Sequence, residues 1–353
     1  MSPADVRGRF LWHELLTTDP EAASRFYGGV AGWETIRWDQ DSSYRLLATA
    51  GVPMAGLVEL PAEDRARGAV PRWITYIGVP DVDAAVRLAT GMGATVRTAA
   101  HDVPTVGRMA ELADPQGAVF SVYTPTGDQV PAEARAPGDF SWHELATSNW
   151  QAAWEFYGKV CGWEYDSSFD MGPAGTYWMF RRPGAKQAAG GMYTKQPDQP
   201  GPPHWLPYVV VASADRAAEA ATRSGGRIAF GPTDVPGGDG RFAIGIDPQG
   251  AAFAVFAPTP APGALPGRRR RPRRNGRPRR GRRRARPPSD RHGRRSGRRP
   301  AGRRPGRRAE PRPGPGVARD RRPPGSRRRS RSRTSCGTRR GFRSRRRRPA
   351  TRR

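Results

Sequence analysis

Residues 10–33, FLWHELLTTDPEAASRFYGGVAGW, are written again at 140–163 as FSWHELATSNWQAAWEFYGKVCGW. A repeated WHEL, with a histidine beside a carboxylate, reads either as a metal-binding or catalytic signature or as the first strand of a duplicated fold. Over 9–16 the residues alternate, placing Phe10, Trp12, Glu14 and Leu16 on one face and Leu11, His13 and Leu15 on the other, which is the period of a strand. Thr18-Asp19-Pro20-Glu21 then offers a capping side chain with proline in the first helical turn. Ala23, Phe26, Tyr27 and Val30 supply an apolar helical stripe that ends at Gly32.

The duplication runs well beyond this stretch. A shift of 130 superposes Trp12-His13-Glu14-Leu15 on Trp142-His143-Glu144-Leu145, Phe26-Tyr27 on Phe156-Tyr157, and Gly32-Trp33-Glu34 on Gly162-Trp163-Glu164. RWITYIGVPDVDAA (72–85) matches HWLPYVVVASADRAA (204–218), and ADPQGAVFSVYTPT (113–126) matches IDPQGAAFAVFAPT (246–259). Two copies of one domain are expected, at 8–126 and 138–260, joined by a polar, proline-containing linker at 127–137. Each copy divides again. After strands at 33–38, 44–49 and 54–60 and a loop containing Gly and Arg, the order restarts with a strand at 73–79. A helix at 81–90, a strand at 94–98 and a hairpin turning at Asp114-Pro115-Gln116-Gly117 follow. The unit is strand, helix, three strands, and it occurs four times in an α+β chain.

A βαβββ unit opening with a strand, followed by a TxDPxxAxxFY helix, GWE, a DVDAA second helix and a DPxGA hairpin, resembles the vicinal oxygen chelate superfamily. That superfamily includes glyoxalase I, bleomycin-resistance proteins and extradiol dioxygenases, and the chain is most similar to its tandem-domain, glyoxalase-like branch, also described as hydroxylases. The resemblance implies paired units curled into a cupped mixed sheet. In metal-using relatives it implies a divalent ion inside the cup on His, Gln and Glu ligands.

Carried over position by position, those ligands are missing here. The first-strand position falls on Trp12 and Trp142, the last-strand position on Ser121 and Ala254, and the fifth-strand position near Ile74 and Leu206. Only Glu59 stands where a fourth ligand belongs, with no clear counterpart near Met192-Tyr193-Thr194. His13 and His143 lie one residue past the ligand position, and a one-residue step along a strand reverses the face. They are expected to point toward the helix as core histidines, unless a bulge shifts the register and makes His13, His143 and Glu59 a metal set.

The cup faces are expected to be aromatic and polar, with Trp12, Glu14, Tyr76, Ser121 and Tyr123 in the first copy and Trp142, Glu144, Tyr208 and Phe256 in the second. Such a lining suits a flat or cationic small molecule held by stacking and a charge-assisted hydrogen bond. Glu14 and Glu144 are candidates for ligand contact or general-base catalysis, against a purely structural hydrogen bond. Trp12 and Trp142 could equally plug the former metal position as core residues. Arg108 and Arg241, in VPTVGRMA and VPGGDGRFA, read as anion clamps or as solvated hairpin residues.

The expected function is binding of a small hydrophobic or aromatic molecule without a cofactor, for sequestration, resistance or sensing. The alternative is a metal-dependent lyase, isomerase or dioxygenase, so enzyme activity stays open at this point.

The 353 residues carry a formal net charge of +29, but 40 Arg and three acidic residues lie within 266–353, which alone hold +37. The first 265 residues are therefore acidic, at −8. The segment 261–353 is expected to be disordered and to bind polyanions nonspecifically at most, since it lacks the interleaved aromatics that stack on bases. Its Arg, Pro, Gly, Ala and Ser composition without Lys is also what GC-rich DNA gives when translated out of frame. Two cysteines give no disulfide framework, and no apolar run is long enough to span a membrane, so a cytoplasmic monomer or homodimer is expected.

Overall fold

The structure, a computed structural model, describes residues 6–127, 136–237 and 240–259. The expectations for 261–353 and for most of the 127–137 linker lie outside these residues. In the first copy the chain runs β1 (Phe10–Thr17), α1 (Pro20–Ala31), β2 (Glu34–Trp38), β3 (Asp41–Thr49), β4 (Val52–Glu59), α2 (Ala62–Ala66), β5 (Arg72–Gly78), α3 (Val82–Gly91), β6 (Thr95–Val103), β7 (Gly107–Ala113) and β8 (Val119–Pro125). The second copy runs β9 (Phe140–Thr147), α4 (Trp150–Cys161), β10 (Glu164–Asp170), β11 (Thr176–Arg181), β12 (Gly190–Thr194), β13 (His204–Val210), α5 (Ala214–Arg223), β14 (Arg227–Asp234), β15 (Gly240–Ile246) and β16 (Ala252–Pro258). The short helix α2 falls in the stretch read from sequence as loop.

Each copy forms one eight-stranded mixed sheet, in the orders β2-β3-β4-β1-β5-β8-β7-β6 and β10-β11-β12-β9-β13-β16-β15-β14. The unit-opening strands pair antiparallel at the centre (β1 with β5, β9 with β13), and each lies parallel to the last strand of its own unit. The helices start where capping side chains stand: Asp19 Oδ1 accepts from the Ala22 amide at 2.9 Å and Asn149 Oδ1 from the Ala152 amide at 3.1 Å. Both helices end at a left-handed glycine, Gly32 (φ 76°) and Gly162 (φ 75°).

The helical faces of the two sheets bury each other. One core cluster joins α3 and β5, β7 and β8 of the first copy to α4, Trp163, Phe180 and Trp205 of the second. The other joins α1, Trp33, Leu57 and Trp73 to α5, Val209 and Phe253. The repeated motifs supply the polar bonds of this interface. Tyr27 Oη donates to Asp247 Oδ2, and Tyr157 Oη donates to Asp114 Oδ2, both at 3.1 Å. Trp73 and Trp205 donate to those same tyrosines, while the Trp33 and Trp163 indoles donate to the carbonyls of Gly138 and Gly8. Most of what repeats in the sequence is thus what lets one copy pack on the other.

Candidate functional site

Burying the helical faces leaves the opposite face of each sheet as the lining of a cup. In β1 the pairings Trp12 with Tyr76 and Glu14 with Ile74 put these four side chains on that face. Tyr76 pairs with Ser121, and Ser121 with Glu111, which carries the same face across β8 and β7. An open cleft of about 1780 Å³ takes in this face, with Trp12, Glu14, Tyr44, Tyr76, Glu111, Ser121 and Tyr123, and runs on past Phe10, His13, Phe140 and His143 to the 182–189 segment of the second copy.

At the floor of this cleft Glu14 accepts two phenolic hydrogen bonds, from Tyr44 (2.7 Å to Oε1) and Tyr76 (3.2 Å to Oε2), and the Trp12 indole donates to the Tyr44 hydroxyl at 3.3 Å. The second copy repeats the arrangement: Tyr177 (3.0 Å) and Tyr208 (3.2 Å) donate to Glu144 Oε2, and the Trp142 indole donates to Tyr177 at 2.8 Å. A glycine on the neighbouring strand makes the room. Gly56 lies beside Glu14 and Gly191 beside Glu144, and a Cβ at either would fall on the ring or hydroxyl of Tyr44 or Tyr177. Burial drives the Glu144 carboxyl up to about 7 against the two tyrosine bonds. Burial raises Glu14 as well, with the Glu111 charge adding to the effect and Tyr44 and Tyr76 opposing it.

Of the residues singled out from sequence, Trp12, Glu14, Tyr76, Ser121 and Tyr123 lie together on the first cup. Trp142, Glu144, Tyr208 and Phe256 lie together on the second. Tyr44, Tyr177 and Glu111 were missed. The two tyrosines are equivalent but stand 133 residues apart, because β10 and the turn after it are longer than their counterparts, so a uniform shift of 130 hides the match.

The histidines take the other face. His13 and His143 are each 5% exposed, and their Nε2 atoms lie 2.8 Å apart between the two copies. They bond to one another rather than to the helix above. Phe10 stacks on His143 and Phe140 on His13, with ring centroids 3.5 and 3.7 Å apart. A bulge does occur in β1, between Phe10 and Trp12, but it lies before the histidine and turns Phe10 instead. This corrects the face read from strict alternation.

Glu59 sits far from this pair. It aligns with Thr17, four residues along β1 from His13, or about 13 Å at strand rise. Its exposed carboxylate is 4.0 Å from Arg65. Arg108 and Arg241 lie on β7 and β15 rather than in loops. They engage Asp83 and Asp102, and Asp215 and Asp234, so each ties a helix start to the sheet instead of clamping a ligand.

The donor chemistry does not fit a divalent ion. Among the described residues no three His, Cys, Asp or Glu side chains gather, and of the four positions the resemblance assigns to ligands only Glu59 of the first copy carries a donor, the others holding Trp12, Ile74 and Ser121, or Trp142, Leu206 and Ala254 in the second copy. Among the described residues, too, no helix is long and apolar enough to cross a membrane.

Comparison with known proteins gives two family matches in tandem. The glyoxalase-like domain matches residues 13–123, and the glyoxalase/bleomycin resistance protein/dioxygenase superfamily matches 140–255. The protein named "Putative glyoxylase CFP32" of Mycobacterium tuberculosis (strain CDC 1551 / Oshkosh) is 34% identical over 256 residues, covering 70% of this chain and 94% of its own. The anthracycline biosynthesis protein DnrV of Streptomyces peucetius is 29% identical over 259 residues, covering 69% and 91%. Among solved structures, the Mn(II)-bound glyoxalase from Novosphingobium aromaticivorans aligns with a TM-score of 0.51 at 17% identity, over 71% of this chain and 82% of that one. The 2,2',3-trihydroxybiphenyl 1,2-dioxygenase of Sphingomonas wittichii strain RW1 aligns with a TM-score of 0.51 at 13% identity, over 71% and 90%. At such identities the structural matches speak for the fold alone.

Proposed function

Since the chain belongs to the glyoxalase/bleomycin resistance protein/dioxygenase superfamily, yet at the expected donor positions of its first copy keeps only Glu59 beside Trp12, Ile74 and Ser121, we propose that it binds a small aromatic molecule in its cups without a metal ion, for sequestration, resistance or sensing. The observation that carries this reading is the Trp–Glu–Tyr–Tyr set built twice on cup floors, each with a glycine alongside. A carboxylate offers about four acceptor positions, and two tyrosines use only part of them. Glu144 Oε1 makes no protein hydrogen bond among the described residues, so a ligand N–H or O–H can dock there. Trp12, Tyr44, Tyr76 and Tyr123 provide ring faces and edges for a flat molecule, and the tyrosine bonds hold the acceptor in place before the ligand arrives. The relative named for anthracycline biosynthesis points the same way, because anthracyclines are flat fused-ring aromatics.

A second reading has one observation in its favour. Glu144, titrating at about 7, is poised as a general base for proton abstraction from a bound C–H or O–H without a metal. A metal-dependent glyoxalase or dioxygenase reaction would need donors that the cups do not gather.

The test is titration of the full chain, dialysed against EDTA, with 1,8-dihydroxyanthraquinone, followed by tryptophan quenching and calorimetry. Saturable binding at two sites is expected, one weakened about tenfold in Glu14→Gln and the other in Glu144→Gln through loss of a charge-assisted bond. Absence of binding until Mn(II), Fe(II) or Zn(II) is restored would overturn the reading.

A further inference from the structure

The two cups share a floor but not a wall. Glu111 of the first cup pairs across β7 and β8 with Ser121; the equivalent places in the second cup hold Ile244 and Ala254. Met109 and Tyr123 correspond in the same way to Phe242 and Phe256, so the second wall is wholly apolar. Among the described residues no protein group satisfies the polar pair in the first cup. Glu111, half-buried and lining the cleft, makes no hydrogen bond or ion pair among the described residues. Ser121 is 3% exposed, lines the same cleft, and likewise has no hydrogen-bond partner there. Neither is among the sealed, unpartnered side-chain atoms, so both present their oxygens to the open cleft, where water or a ligand completes them.

Resting on the binding role proposed for the cups, we propose that the first cup is a site for an aromatic amine in its protonated form. The ammonium sits between Glu14, Glu111 and Ser121, whereas the second cup, with Glu144 as its one carboxylate and an apolar wall, prefers the ammonium less. An ammonium has three donors and no acceptor, which matches two carboxylates and a hydroxyl oxygen. Rings of Trp12, Tyr44, Tyr76 and Tyr123 around it add cation–π attraction. The charges that act on Glu111 are those of Arg72 on β5, Arg97 on β6 and Asp64 on α2, and Glu111 in turn acts on Glu14; neither arginine approaches it within ion-pair distance among the described residues. The other cations lining the cleft, Arg9, Arg182 and Lys186, come from the residue before β1 and from the 182–189 segment, not from the strands that carry Glu111 and Ser121. A charged amine placed between the two carboxylates relieves the repulsion that now helps to raise Glu14.

The experiment compares two isosteric probes, 1-naphthylmethylammonium and 1-naphthylmethanol, by calorimetry on the full chain at pH 7.5 and at two salt concentrations. The ammonium is expected to bind one site about tenfold or more tightly than the alcohol, with the preference shrinking in high salt. Glu111→Gln should lower the ammonium affinity about tenfold and the alcohol affinity by less, so that the preference collapses. Ile244→Glu should create a second ammonium site, which keeps the test open if Glu111→Gln misfolds. Equal affinities for the two probes, or a preference untouched by Glu111→Gln, would overturn the cation assignment while leaving the cups as aromatic binding sites. If neither probe saturates, the binding role of the cups fails, and this assignment with it.

Discussion

Acidification should unfold this protein partly through His143, by an amount that follows from its surroundings. Its Nδ1 faces the Ala189 carbonyl at 3.3 Å and so carries the proton, which leaves Nε2 to accept from the His13 Nε2–H at 2.8 Å. Both rings are therefore neutral in the fold, stacked between Phe10 and Phe140 at the inner edge of the cleft. Burial holds His143 down at about 3 and, with the neighbouring imidazole, keeps His13 well below its ordinary value. In the unfolded chain a histidine titrates near 6.5. Because the folded value is the lower one, the unfolded state binds more protons as pH falls. Stability is then complete above about 6.5 and is lost progressively toward pH 3. At about 1.4 kcal/mol per pH unit, lowering the pH to 4.5 costs about 3 kcal/mol through His143 alone, a large share of a typical total of about 5–15 kcal/mol. The assay is urea unfolding at pH 7.5 and 4.5 for the wild-type chain and for His143→Gln, whose amide can keep both hydrogen bonds without titrating. The wild type should lose about 3 kcal/mol more than the variant between the two conditions. Equal losses would refute the idea that this imidazole is buried neutral between the two copies.

Tyr27→Phe and Tyr157→Phe should each destabilise the chain by about 1–3 kcal/mol in urea melts, because each strands a buried aspartate oxygen and an indole N–H at the interface between the copies. Arg108→Ala, by contrast, removes two partly exposed ion pairs and should leave the urea midpoint and the anthraquinone affinity nearly unchanged. Gly56→Ala should displace Tyr44 and break its bond to Glu14, weakening anthraquinone binding about tenfold in calorimetry while far-ultraviolet circular dichroism stays unchanged. Raising the pH from 6 to 8 should strengthen acceptance of a ligand O–H by Glu144, which gains its negative charge across this range, and Glu144→Gln should abolish that dependence.

The duplication was plain in the sequence because its motifs recur at one spacing, and from it came the four βαβββ units and the two mixed sheets. What the motifs do was not plain. FY, GWE and DPQG repeat because Tyr27 reaches Asp247 and Trp33 reaches Gly138, contacts between copies that no single unit reveals. Alternation placed Trp12 and Glu14 on the cup face and His13 on the other, yet it set Phe10 on the wrong side, since a bulge inserts no mark into the residue pattern. Tyr44 and Tyr177 escaped notice because the longer β10 hairpin breaks the register of the repeat just before them. Glu111 escaped because its counterpart, Ile244, differs from it, and a search for repeats finds only what is shared.

The central claim is that aromatic ligands sit on the Trp–Glu–Tyr–Tyr floor with no metal ion. A crystal structure of the EDTA-treated chain soaked with 1,8-dihydroxyanthraquinone tests it most directly. The claim calls for the ring system against Trp12 or Trp142, a ligand hydroxyl within about 3 Å of Glu14 or Glu144, and no anomalous metal signal in either cup. A divalent ion retained in a cup and bridging the ligand, or a ligand bound away from both glutamates, would contradict it.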